Sequence, residues 1–132
     1  MKKVVLIVLL AILLVSCNQT NEEPVTKADE IIYQTISPKD AKEQLDADDT
    51  ILLLDVRTKE EYDSGHIVGA ELLTLDVIES EAETTYTDKD QIIYVYCRSG
   101  NRSKTATKIL NDLGYTNVYD LGGIMNWPYE TE

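Results

Sequence analysis

Two short runs of uninterrupted apolar residues constrain the fold of this chain more than any other feature. One is Ile51-Leu52-Leu53-Leu54, and the other extends from Ile92 to Tyr96. Strands without polar alternation are typical of the middle of a parallel sheet, where both faces are covered. Each run is followed by a helix-like segment. We therefore predict an α/β fold, with a parallel sheet covered by helices on both faces.

Weaker signals extend this pattern to about five strands. Ser37 is placed as a helix N-cap before Pro38, and Thr58 with Glu61 forms a capping box. The predicted strands are 33–36, 51–54, 71–73, 91–96 and 117–120, and the predicted helices are 38–47, 58–65, 76–82, 103–113 and 122–127.

The second apolar run ends on Cys97, and a glycine-containing loop then leads into a helix-like segment. A cysteine at the start of a helix, with cations beside it, is expected to be a thiolate at neutral pH. Ligands of open α/β sheets bind beyond the carboxyl ends of the strands, where this loop lies. The alternative is a buried structural cysteine in a strand-to-helix turn of a non-catalytic domain. We predict that Cys97 is the catalytic nucleophile.

The six residues from Cys97 to Arg102 are predicted to form a loop that surrounds the sulfur with backbone N–H groups. Gly100 allows a tight turn with positive φ, and Arg98 and Arg102 are expected to hold the oxygens of an anion. The predicted substrate-binding residues are therefore Arg98, Ser99, Gly100, Asn101 and Arg102.

Charge favours an anionic substrate at this loop. The chain has a net charge of −12, which makes nucleic acid and anionic lipid headgroups poor partners. Residues 91–111 depart from this balance, because they contain four basic residues and no Asp or Glu. A chance clustering on one helix face is the alternative explanation.

The N-terminus has the pattern of a secretory signal. Lys2 and Lys3 precede an apolar run from Val4 to Val15, which is too short to span a bilayer comfortably. The following Ser16-Cys17 resembles the end of the bacterial lipobox, so residues 1–16 are predicted to be a lipoprotein signal peptide. An ordinary signal peptide and an uncleaved anchor are the alternatives. We expect lipidation at Cys17 and a location on the extracytoplasmic face of a bacterial membrane.

The rest of the chain divides into a tether and a domain. Residues 17–30 are polar and are predicted to be the lipidated N-terminus and a flexible acidic tether. Residues 31–132 are long enough to form one domain without disulfides. With Cys17 lipidated, Cys97 is the only free thiol, and in an oxidising compartment a lone thiol calls for a reactive role.

Four separated motifs resemble the rhodanese family of thiosulfate sulfurtransferases. The loop from Cys97 to Arg102 looks like the family's active-site loop. The other three motifs are Leu54-Asp55-Val56-Arg57 with Glu60-Glu61-Tyr62, then Gly65-His66-Ile67 with Gly69-Ala70, and finally Leu121-Gly122-Gly123 with Trp127. The likeness covers about residues 31–129.

The resemblance implies a two-step reaction without a metal or an organic cofactor. Cys97 would take the outer sulfur of a donor such as thiosulfate and pass it from a persulfide to a thiophilic acceptor. The expected partners are small sulfur-containing anions, thiols and a protein sulfur acceptor. Asp55 and Arg57 are expected to position the loop, and His66 to form a structural turn.

Two alternatives remain open at the level of sequence. The first is a persulfide carrier or protein-binding module that does not turn over free thiosulfate. The second is phosphatase or arsenate reductase chemistry, which rhodanese-like proteins perform with a loop one residue longer than the one from Cys97 to Arg102. Tyr96 also stands where those phosphatases have histidine.

Overall fold

Five strands were found in the computed structural model, which describes residues 33–132. They are β1 (Gln34–Thr35), β2 (Leu52–Asp55), β3 (Glu71–Leu72), β4 (Ile92–Cys97) and β5 (Asn117–Gly123). All pair in parallel, in the order β1-β5-β4-β2-β3. The predicted parallel α/β sheet is therefore confirmed, with β4 at its centre.

Four α-helices and a short 3₁₀ turn connect and follow the strands. The helices are α1 (Pro38–Ala47), α2 (Lys59–Asp63), α3 (Ile78–Thr85) and α4 (Asn101–Asp112), and the 3₁₀ turn is Ile124–Asn126. Two helix starts follow the predicted capping chemistry. The Asp40 N–H donates to Ser37 Oγ at 3.1 Å, and the capping box of Thr58 and Glu61 is complete.

The sheet separates two hydrophobic cores. On one face, α3 and α4 cover alternate strand residues, including Leu54, Val95 and Cys97. On the other face, α1 and the segments after α2 and β5 cover Leu53, Tyr94 and other residues. Alternate side chains of each strand therefore enter different cores, which explains the absence of polar alternation in the sequence. Residues 31–132 form a unit of their own that contains both cores.

Several element boundaries differ from the sequence prediction, and the predicted helix 122–127 is instead the end of β5 followed by the 3₁₀ turn. Helix α4 begins two residues early, at Asn101, because Gly100 turns the chain directly into the helix with φ +106°. Helix α3 lies at 78–85 instead of 76–82. Strand β5 continues to Gly123, and its pairing with β4 shifts between Val95 and Tyr96. That irregularity leaves one extra residue in β5. No propensity signal in the sequence predicts this extra residue.

The predicted signal peptide, lipidation site and tether fall on residues 1–30, which are outside the described part of the chain. Within residues 33–132, no helix is long and apolar enough to cross a membrane.

Candidate active site

Cys97 is the last residue of the central strand β4, at the edge of the sheet where the carboxyl ends of the strands meet. Its side chain is only 1% exposed and has no disulfide partner among residues 33–132. The Gly100 N–H donates to Cys97 Sγ at 3.0 Å. Because this donor and the N-terminus of α4 both lie beside the sulfur, the position favours a negative charge on it.

The connection from Cys97 to α4 is shorter than predicted. Only residues 98–100 are non-helical, so Asn101 and Arg102 belong to the first turn of α4. The positive φ of Gly100 makes this abrupt change of direction, and the buried Ser103 hydroxyl donates to the Gly100 carbonyl at 3.0 Å. The predicted six-residue loop is therefore a three-residue turn fixed from within α4.

The end of β5 packs against the turn that follows Cys97. Gly123 pairs with Cys97 across the sheet. A Cβ atom at Gly123 would lie 2.3 Å from the Arg98 carbonyl oxygen and 2.8 Å from Ser99 Cα. The Met125 N–H donates to the same carbonyl at 3.2 Å. The backbone after Cys97 therefore rests directly on Gly123, and only glycine leaves room for it.

Asp120 holds the irregular end of β5 in place. Its side chain is 8% exposed, accepts a hydrogen bond from the Gly122 N–H at 2.8 Å and another from the Tyr33 hydroxyl. Gly122 has φ +90°, which glycine adopts without strain. These contacts fix the extra residue of β5 and so place Gly123 under the turn.

Arg102 is not free in this structure. Its Nη1 and Nη2 donate to Glu61 Oε2 and Oε1 at 2.7 and 2.9 Å. The hydrogen bond from Arg102 is the main cause that lowers the pKa of Glu61 to about 2. Glu61 in turn raises the pKa of Arg102, with a smaller contribution from Cys97. The guanidinium predicted to hold an anion is thus already neutralised by a carboxylate from α2, whereas Arg98 is exposed.

Asp55 and Arg57 form a buried pair at the neighbouring strand end. Asp55 is 0% exposed and accepts from Arg57 Nε at 3.0 Å and Nη2 at 2.7 Å. Nη2 also donates to the Gly65 carbonyl at 2.8 Å. This pair therefore anchors the turn after α2. It also contacts the cysteine-bearing strand β4, because Asp55 pairs with Tyr96 in the sheet and the Tyr96 ring lies 5.6 Å from the guanidinium.

Tyr96 and His66 lie on the opposite face of the sheet from the sulfur. The Tyr96 hydroxyl accepts from the Ile67 N–H at 3.1 Å, and burial is the main cause that raises its pKa. His66 stacks on Tyr62 and contacts the Tyr62 carbonyl through Nδ1 at 2.9 Å. Its Nε2 lies 3.3 Å from Glu132. These partners tie His66 to the turn that it was expected to stabilise.

A cleft of about 500 Å³ opens beside Arg102, between the starts of α2 and α4 and the segment after β3. Its lining carries both signs of charge: Arg57, Lys59 and Arg102 against Glu60 and Asp76. Within residues 33–132, no group of three or more His, Cys, Asp or Glu side chains is placed to hold a metal ion.

Three residues of the site were not assigned a role there from the sequence. Glu61 was recognised as part of a capping box and of a family-like motif, but its pairing with Arg102, 41 residues away, was not predicted. No pattern in the sequence indicated a role for Asp120 in the site. Gly123 was noted only within the closing motif, where a glycine doublet was the available hint of a close backbone approach.

The fold and site define a class: parallel α/β proteins with a buried cysteine between the central strand and a helix N-terminus. Residues 37–129 match the rhodanese-like domain family, so the chain belongs to the rhodanese family.

Two relatives and one solved structure illustrate this membership. YtwF of Bacillus subtilis (strain 168), named provisionally as a sulfurtransferase, is 38% identical over 97 residues, covering 74% of this chain and 92% of YtwF. The thiosulfate sulfurtransferase PspE of Escherichia coli (strain K12) is 37% identical over 71 residues, covering 54% of this chain and 68% of PspE. A structure described as rhodanese with anions from E. coli superposes with a TM-score of 0.59 at 32% identity, covering 62% and 96% of the two chains. The family and these relatives support a rhodanese-type sulfurtransferase or sulfur carrier.

Proposed function

We propose that this protein transfers sulfane sulfur from thiosulfate, or a similar anionic donor, to a thiophilic acceptor through a persulfide on Cys97. The single observation that carries the proposal is the position of Cys97 Sγ. It lies at the end of the central strand and 3.0 Å from the Gly100 N–H, in a chain of the rhodanese family.

The reaction has two displacement steps at sulfur. In the first, the Cys97 thiolate attacks the outer sulfur of thiosulfate, a new S–S bond forms, and sulfite leaves with the electron pair of the old bond. In the second, an acceptor such as cyanide attacks the outer sulfur of the persulfide and releases the thiolate. The Gly100 N–H and the N-terminus of α4 stabilise negative charge in both resting states.

The access of a donor to the Cys97 sulfur is restricted. Cys97 is nearly closed off from solvent, which favours a small donor, and Arg98 supplies the exposed cation of the turn. Arg98 therefore attracts the oxygens of the donor, while the closed surroundings of the sulfur exclude water from the reacting bond.

A persulfide carrier is the second candidate function, and the ion pair of Arg102 with Glu61 is the observation that favours it. This pair removes one of the two cations expected to bind thiosulfate. A carrier would receive its sulfur from a protein donor and would turn over free thiosulfate poorly.

Steady-state thiocyanate formation from thiosulfate and cyanide tests the proposal. The fragment beginning at Asn18 contains the whole unit of residues 31–132. We expect turnover with ping-pong kinetics and none in Cys97→Ser. Ser80→Ala, at an exposed position of α3, serves as the control for a small side-chain change away from the turn and should remain active. Turnover in Cys97→Ser would refute the assignment, and no turnover in the unchanged protein would leave the carrier.

We also propose that the mature protein is lipid-anchored through Cys17 on the extracytoplasmic face of a bacterial membrane. The basic head, the length of the apolar run and the position of Cys17 in the sequence support this location. Removal of Lys2 and Lys3 with the signal peptide leaves 10 basic and 24 acidic residues, a net charge of −14.

A further inference from the structure

A second cavity of the described chain lies away from the cysteine. It is a groove of about 920 Å³ between the end of α1, the start of β2 and the segment after the 3₁₀ turn. The cleft beside Arg102 and this groove share no lining residue. The reaction proposed for Cys97 therefore gives the groove no role.

The floor of the groove is apolar. Leu45, Ile51, Leu53, Ile67 and Trp127 all line it and belong to the core on the α1 face or pack against that core. At the margin, Val68 is 51% exposed and Tyr129 is 36% exposed. A contiguous apolar surface of this kind, left open between two segments, is typical of an interaction site.

The rim of the groove is acidic. Its lining includes Asp46, Asp48, Asp49 and Glu130, against a single cation, Lys42. Lys42 is already engaged by Asp46. Within residues 33–132, neither Asp49 nor Glu130 forms an ion pair, and both are exposed. The groove therefore presents an apolar floor beside uncompensated negative charge.

We propose that this groove docks a basic segment of a partner protein, in which lysine or arginine residues flank an aliphatic or aromatic anchor. The anchor packs between Leu45, Val68 and Trp127, and the flanking cations pair with Asp49 and Glu130. Complementary charge selects such a partner and speeds its association. The chain's own residues 17–30 do not fit this chemistry, because they hold four carboxylates and one lysine.

A second copy of this chain fits less well. The basic residues of the chain concentrate at 98–108, on the other face of the sheet from the groove. A contact between that region and the groove would join different surfaces of two copies and would not close into a dimer.

Trp127 is the only tryptophan of the chain, so its fluorescence reports directly on the groove. The probe is the acetylated hexapeptide amide Lys-Leu-Lys-Phe-Leu-Lys, titrated into the fragment that begins at Asn18. We expect a saturable change of Trp127 emission, with weaker binding as salt rises from about 20 to about 200 mM. The same peptide with glutamate in place of lysine should not bind.

Matched variants separate docking from general attraction to an acidic protein. Asp49→Asn with Glu130→Gln should weaken binding about fivefold, because two surface ion pairs are lost. Glu79→Gln with Glu81→Gln removes the same charge from α3 on the opposite face and should change affinity less than about twofold. Val68→Ser, at a half-exposed position that does not threaten folding, should also weaken binding.

Three results would overturn the proposal. The first is the absence of a saturable emission change, and the second is equal weakening by the two charge-matched double variants. The third is concentration-dependent self-association that Asp49→Asn with Glu130→Gln abolishes, since a second copy would then be the occupant. None of these measurements involves sulfur transfer, so their outcome is independent of the function proposed for Cys97.

Discussion

At the scale of single residues, the site depends on backbone groups and on residues whose side chains do not contact the sulfur. Gly100 donates to Cys97 Sγ, Gly123 leaves room for the turn, and Asp120 fixes the backbone that carries Gly123. Cys97 Sγ is thus placed mainly by backbone atoms. Substitutions that displace this backbone should therefore lower activity strongly, even though they do not change a reacting side chain.

Gly123→Ala should separate this effect from simple instability. Its new methyl group would displace the Arg98 carbonyl, so we expect destabilisation of about 1–3 kcal/mol from overpacking. Activity of the folded variant should fall at least about tenfold, because a small misplacement of a reacting group has a large effect on rate. Thiocyanate formation is measured well below the unfolding temperature.

Gly122→Ala is the control for Gly123→Ala. Nothing lies within 4 Å of its new Cβ, but its φ of +90° is strained for alanine. Gly122→Ala should therefore lower the stability of the protein without the steric clash that Gly123→Ala introduces. Equal activity per folded molecule in Gly123→Ala and the unchanged protein would contradict the role given to Gly123.

Asp55→Asn should be strongly destabilising, because it leaves the buried Arg57 guanidinium without its partner charge. We expect a loss of about 3 kcal/mol or more in the free energy of unfolding, measured with urea. Asp63→Asn breaks the exposed pair with Lys59 and should cost less than about 1 kcal/mol. Similar losses in the two variants would show that the buried pair contributes little.

At the scale of elements, the pair of Glu61 and Arg102 joins the N-terminal turns of α2 and α4. It connects the capping box of one helix to the first turn of the helix that follows Cys97. Since Glu61 has a pKa of about 2 in the folded protein and an ordinary value of 4.5, the folded state favours its ionised form.

The sign of the resulting pH dependence follows from this difference. The contribution of Glu61 to stability is fully present above its unfolded pKa and is lost as the pH falls from about 4.5 towards about 2. Glu61→Gln should flatten this part of the curve of unfolding free energy against pH. Glu60→Gln, which removes an exposed neighbouring charge, should leave the slope unchanged. Parallel curves for Glu61→Gln and the unchanged protein would exclude the proposed coupling.

The elements themselves were largely predictable from the sequence. Apolar runs such as Ile51-Leu52-Leu53-Leu54 predict buried parallel strands. Ser37 and Thr58 predict helix starts, because their side chains cap helices through local hydrogen bonds. The extra residue in β5 was not predictable, since it depends on an Asp120 side chain that acts only in the folded sheet. The pairing of Arg102 with Glu61 was also not predictable. The clustering of basic residues in the sequence does not indicate which carboxylate, here one 41 residues away, pairs with Arg102.

At the scale of the whole molecule, charge is distributed unevenly over an acidic protein. The basic residues near Cys97 are consistent with the proposed anionic donor, and the acidic groove on the other face with the proposed basic partner. This separation would allow sulfur chemistry and partner docking to proceed on different surfaces. A membrane tether would further confine both to one compartment.

The proposed lipid anchor is tested by changing its proposed attachment site, Cys17. Cys17→Ser should move the protein from the membrane fraction to the soluble fraction, because the acyl chains supply most of the membrane affinity. Cys97→Ser is the matched control and should stay with the membrane. Retention of Cys17→Ser in washed membranes would contradict the anchor and favour an uncleaved apolar segment.

The most direct test of the account is the mass of the protein after exposure to thiosulfate without an acceptor. Intact mass and peptide mapping of the fragment from Asn18 should show one added sulfur atom on the peptide that contains Cys97. Cyanide should then remove it, and Cys97→Ser should never gain it. An unchanged mass, or added sulfur that persists in Cys97→Ser, would contradict a Cys97 persulfide formed from thiosulfate.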